Sequence, residues 1–152
     1  MIIEGFRNDY NYFDFADNDY QYFMEDCERG RVANYMASQA QSICERYLKH
    51  LIEVYVCPQD GDSNRRKRDV LTSHSLNKLI NYLSEYTDFS FSQMTLLQVR
   101  AIDGYYFSTR YPGTESFFVN ENDINLCKNA TEACRKEILE YIENKEKDIQ
   151  KE

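Results

Sequence analysis

Residues 31–56 read RVANYMASQAQSICERYLKHLIEVYV. Apolar side chains recur at Val32, Met36, Ala40, Ile43, Tyr47, Leu51 and Val54, in steps of three and four. That spacing places them on one face of an α-helix, and neither glycine nor proline interrupts it. The run predicts a long helix over 31–56. The small residues Ala33, Ala37 and Ala40 would let a neighbouring helix come close. Just upstream, Tyr20, Phe23 and Cys27 share a second helical face that ends at Gly30. Asp17 can cap that helix, and Asp19 favours its positive end. Only the short link RGR separates the two, so they predict an antiparallel hairpin.

The pattern continues downstream. CPQDGDSNRRKRD, residues 57–69, is polar and carries Pro58 and Gly61. It is expected to be a mobile loop, with the basic run RRKR at 65–68 solvated. Thr72 or Ser73 then caps a helix with Leu76, Leu79, Ile80 and Leu83 on its apolar face. After TDFSFS, Ser92 caps a helix expected to reach Arg110, with Leu97, Ala101, Gly104 and Ser108 along one side. Pro112 stops it. Asn120 or Asn122 opens a last helix striped by Ile124, Cys127, Thr131, Cys134, Ile138 and Tyr141. The tail 144–152 loses the pattern and is expected to fray. Residues 1–15 are aromatic and acidic and read as an arm that packs by its rings. The expected architecture is all-α: one up-and-down bundle of four to five helices over 16–143.

Composition supports this and excludes other classes. The chain has 152 residues, 42% of them apolar, which suits one domain with a real core. With only five glycines and two prolines, an all-β fold would lack its turn residues. The net charge is -8, so free nucleic acid is repelled overall. The start MIIEGFRNDY has no basic, apolar signal-peptide pattern, and no apolar stretch approaches a membrane span. Five cysteines without a close pair fit a reducing, cytoplasmic setting better than a disulfide framework. Cys27, Cys127 and Cys134 fall on apolar stripes, where cysteine behaves as a small hydrophobe. Neither their spacing nor that of Cys44 and Cys57 forms a metal-ligand set. No metal or cofactor is expected.

Three side chains remain as candidates for chemistry. His50 reads as a partly exposed residue at the edge of the long helix. His74, in TSHSL, sits at a helix start, either bonded locally or lining a cleft. Arg110 stands where its helix must end, flanked by Tyr105, Tyr106 and Tyr111. A cation there is favoured by the helix dipole, and an arginine stacked on rings can also bind phosphate.

The order of motifs resembles HEPN domains. The resemblance lies in the opening helix pair with Gly30, Ala37, Gln39-Ala40 and Leu48-Lys49. It also lies in Thr72-x-His74-x-Leu76, in Thr109-Arg110-Tyr111-Pro112, and in the final helix with Ala130 and Ala133. It covers residues 16–143. It implies a helical bundle that often dimerises. Some members are metal-independent ribonucleases with a histidine separated from the arginine by four to six residues. Others act with a nucleotidyltransferase partner or as nucleotide-binding modules. Here that window holds Glu115, Ser116 and Phe117, and no histidine follows. The resemblance therefore implies a non-catalytic domain that forms a homodimer and binds a nucleotide or a nucleotidyltransferase partner. Arg110 would contact phosphate, Tyr106 and Tyr111 would supply ring surface, and His74 would be a cleft neighbour. The alternative is a ribonuclease toxin whose acid-base group is displaced to Glu115 or His74. A third possibility is that Arg110 only ties a helix end to a carboxylate of the first or last helix.

Overall fold

The computed structural model describes residues 10–151, so the first part of the expected aromatic arm lies outside the described residues. The described residues form six helices of nine residues or more and one single turn, with no strand. The all-α bundle is therefore present, with more helices than expected.

Helix α1 spans Tyr12–Glu28 and begins earlier than Asp17. Asn11 caps it: its side chain accepts from the Asp14 amide at 2.9 Å, and Asp14 accepts in return from the Asn11 amide. Residues 12–15, assigned to the arm, are thus helical. Asp17 lies mid-helix and has a different task, given below. Gly30, at φ 73°, supplies the left-handed turn after α1. Helix α2, Asn34–Tyr55, then runs back against α1 as the expected hairpin.

Helix α2 is the hub. It packs against α1, α4, α6 and α7, and 14 of its 22 residues are buried. That is too many for one stripe, so polar groups are buried with the apolar ones. Met36, Ala40, Ile43, Tyr47 and Leu51 are fully buried, while Val32 and Val54 at the ends are exposed. His50 is buried too, against the expectation, because α1 starts early enough for Phe13 to cover it at 5.6 Å.

The expected loop at 57–69 is mostly helix α3, Gly61–Leu71. Asp60 caps it, accepting from the Ser63 amide at 2.7 Å. No residue of α3 is buried, so it has no apolar stripe for a periodicity reading to find. Val70 and Leu71 in its last turn pack half-buried against the core, and polar contacts hold the rest. Arg66 bonds Glu85 and Tyr86 of the next helix, and the Lys67 ammonium donates to the carbonyls of Glu53 and Val56.

Helix α4, Leu76–Tyr86, buries Leu76, Leu79, Ile80 and Leu83 as expected. Its cap is Ser75, not Thr72 or Ser73. Helix α5, Gln93–Ala101, is capped by Ser92. It does not continue to Arg110. The chain turns at 102–104, where Gly104 has φ 96°, and resumes as the single turn α6, Tyr105–Ser108. The break changes the buried face. Thr95, Val99 and Ile102 point inward, and Leu97 is exposed.

Helix α7, Glu121–Gln150, is capped by Asn120 through a second reciprocal pair, with Asp123. Ile124, Cys127, Thr131, Cys134 and Ile138 are buried as expected. The tail expected to fray is helical through Gln150. Two contacts hold its start: the Tyr141 hydroxyl and the Lys145 ammonium both donate to Asp88. No described helix is long and apolar enough to cross a membrane. All five cysteines are free, and burial pushes the Cys127 thiol up to about 12.

Candidate functional site around Arg110, Tyr106 and His74

The turn at Gly104 decides where the aromatic residues go. A continuous helix would have carried Tyr105–Arg110 outward along the α5 axis. The left-handed glycine instead folds α6 back onto α2. Asp103 secures the turn from the other side: its two carboxylate oxygens accept from the amides of Leu76 and Asn77, at 2.9 and 3.1 Å. One carboxylate thus ties the α5–α6 turn to the start of α4, at the positive end of that helix.

This geometry brings together the four residues singled out in the sequence. The His74 imidazole lies parallel to the Tyr106 ring, with centroids 4.9 Å apart and planes 3° apart. The Arg110 guanidinium sits over the same ring at 4.5 Å from its centroid, and at 5.7 Å from that of Tyr111. Phe107 stands edge-on to His74 at 6.1 Å. Arg110 is exposed and makes no ion pair among the described residues. It does not tie its helix to α1 or α7, where Asp17 and Asp19 are taken by Arg135 and Arg46.

Three residues of α2 that the sequence reading passed over build the back of the site. Asn34 grips the loop after Arg110. Its amide nitrogen donates to the carbonyls of Thr109 and Phe117, and its oxygen accepts from the Val119 amide, all within 3.1 Å. Gln41 is fully buried, accepting from the Tyr106 amide at 2.7 Å and donating to the His74 carbonyl at 2.6 Å. Glu45 is buried one turn further on, and its Oε2 lies 3.3 Å from His74 Nδ1 and 3.7 Å from the Lys49 ammonium. For Gln41 and Glu45 the signal was polarity at inward spacing: both follow Ala37 at helical steps on the helix that buries the most residues.

The electrostatics follow from burial. Desolvation pushes the Glu45 carboxyl up, opposed by Lys49 and His74, and pushes the Lys49 ammonium down, opposed by Glu45. A neutral His74 that donates from Nδ1 to Glu45 keeps its lone pair on Nε2. Half of the His74 side chain is exposed.

Arg110 lines an open groove of about 390 Å³ with Asn34, Tyr111 and Phe117, and two further grooves adjoin the site. One, of about 540 Å³, is lined by His74, Lys78, Asp103, Gly104 and Phe107. The other, of about 720 Å³, shares Asp103, Gly104 and Phe107 and extends to Tyr111, Glu115 and Phe117. Glu115 therefore lies in the groove that does not contain His74. Among the described residues no group of three or more histidine, cysteine, aspartate or glutamate side chains is placed to hold a metal ion. No family model, curated protein or solved structure matches the chain.

Proposed function

We propose that the chain is a HEPN-type helical domain that binds a nucleotide, or a phosphate-bearing partner, at Arg110. The observation that carries this is an arginine held over Tyr106 and Tyr111 with no carboxylate among the described residues to neutralise it. Stacking leaves the guanidinium edge free for bidentate contact with phosphate. His74 and Arg110 already lie against the Tyr106 ring, and the exposed Tyr111 and Phe107 offer ring faces for a base. In this reading the domain is a cytoplasmic homodimer, with a nucleotidyltransferase as its protein partner. Calorimetric titration with ATP and other nucleotides tests it. Heat from wild type that is lost in Arg110→Ala is the expected result. No heat with any nucleotide would leave only the partner-binding form.

A specific observation favours a second reading, a metal-independent ribonuclease that uses His74. Glu45 supports Nδ1 of an imidazole that shares the Tyr106 ring with Arg110. In such a site Nε2 would take the proton of a ribose 2′-hydroxyl as that oxygen attacks phosphorus and the P–O5′ bond breaks, the departing 5′-oxygen taking a proton from water or from the imidazolium, with Arg110 offsetting the charge that develops. Incubation with total RNA decides it. Cleavage abolished by both His74→Ala and Arg110→Ala supports an enzyme, and intact RNA removes the reading.

A further inference from the structure

We propose that Gln41 is the positioning residue of this site: its buried carboxamide sets the separation at which the His74 and Tyr106 rings stack. The two rings come from segments far apart in sequence, the link before α4 and the single turn α6. Gln41 bonds the main chain of both, at the Tyr106 amide and the His74 carbonyl. A third, longer contact of 3.4 Å runs from Gln41 Nε2, which donates to Glu45 Oε1. The site thus has its backbone spacing and its histidine partner referred to one side chain. The role needs a donor and an acceptor on one terminal group at this reach. Methionine fills the volume and supplies neither. Asparagine has both but falls short by a methylene. Asp103 remains as an independent tether between the α5–α6 turn and α4, so losing Gln41 should loosen the stack without undocking the helix.

The ligand effect rests on the proposed function, whereas the ring geometry does not, and the experiment separates them. His74 is one of two histidines and the other, His50, is buried, so their imidazole resonances are distinguishable. Nuclear Overhauser contacts between the His74 and Tyr106 rings are compared in wild type, Gln41→Met and Gln41→Asn. Gln39→Met is the control. Gln39 is on the same helix, and its Oε1 is buried with no hydrogen-bond partner among the described residues. The ring contacts should be lost in both Gln41 variants and kept in the control. ATP binding should weaken roughly tenfold in the Gln41 variants, equivalent to about 1.4 kcal/mol. Ring contacts that persist in a folded Gln41→Asn would overturn the proposal. So would a failure of both Gln41 variants to fold, which would make Gln41 a core residue only. If wild type binds no nucleotide while the ring contacts behave as expected, the proposed function fails and the positioning role stands. Unchanged ATP affinity despite lost ring contacts would confine Gln41 to structure and overturn its role in binding.

Discussion

Asp17→Ala should be among the most destabilising single changes at a half-buried charge. Asp17 Oδ1 accepts from Arg135 Nε at 2.8 Å, and Oδ2 accepts from Nη2 at 3.2 Å. Asp17 also accepts from the hydroxyl of Tyr47, a side chain with no exposed surface. The network fastens α1 to both α2 and α7. The Asp17 and Arg135 side chains are 27% and 33% exposed, so solvent screens the ion pair, worth roughly 1 kcal/mol. Leaving the Tyr47 hydroxyl buried without its acceptor costs about 1–3 kcal/mol more. The sum is about 2–4 kcal/mol, and at about 2–4 °C per kcal/mol the Tm should fall by roughly 4–16 °C. Urea denaturation followed by circular dichroism measures this. A double-mutant cycle with Tyr47→Phe isolates the buried hydroxyl, because the loss to Arg135 is common to Asp17→Ala in both Tyr47 backgrounds and cancels. The expected coupling is at least about 1 kcal/mol. A loss under about 1 kcal/mol, or strict additivity, would refute the reasoning. The pH dependence has a definite sign. Burial alone would raise the Asp17 carboxyl, but the bonds from Arg135 and Tyr47 and the Arg135 charge outweigh it and hold it below the usual range. Its stabilisation is therefore present above about pH 4 and is lost as pH falls through the lowered value.

Arg110→Ala should leave the melting temperature within about 4 °C of wild type, since only exposed cation–π contacts of about 0.5–1 kcal/mol are removed. A thermal scan showing a larger drop would make Arg110 a structural residue. His50 is buried with Nδ1 unpartnered among the described residues, and desolvation holds it below its ordinary value. Its burial in the neutral form favours folding above about pH 6.5, and stability declines as pH falls below that. In urea midpoints compared between pH 7.5 and pH 5, chosen as roughly one unit or more either side of the free histidine value, His50→Leu should decline less than wild type. Asn34→Ala removes three bonds to residues 109–119 and should cost about 1–3 kcal/mol. Trypsin should then cut faster after Arg110, and an unchanged rate would show that Asn34 does not hold the loop.

Helix α4 and helix α7 were legible because each repeats large apolar residues at helical spacing against a polar background. The α1–α2 hairpin was legible for the same reason, with a glycine where the chain reverses. Helix α3 was not, because only Val70 and Leu71 in its last turn pack against the core, too few to make a stripe, and its Asp60 cap reads like any acidic loop residue. Asp17 was misplaced as a cap because the true cap, Asn11, is one of many polar residues in an aromatic run. At the site, Arg110, Tyr106, Tyr111 and His74 were identifiable by type and order. Asn34, Gln41 and Glu45 were not, because their roles consist of contacts with segments distant in sequence.

Local spacing therefore determined by itself that this chain is an all-α bundle with a long central helix, since helical periodicity depends only on neighbours three and four residues away. Tertiary structure decided that His74, Tyr106 and Arg110 share one surface and that Glu45 stands behind the histidine. Those facts depend on the left-handed turn at Gly104 and on how α6 and the start of α4 meet α2. No spacing along the chain encodes that meeting, because it is set by packing between elements.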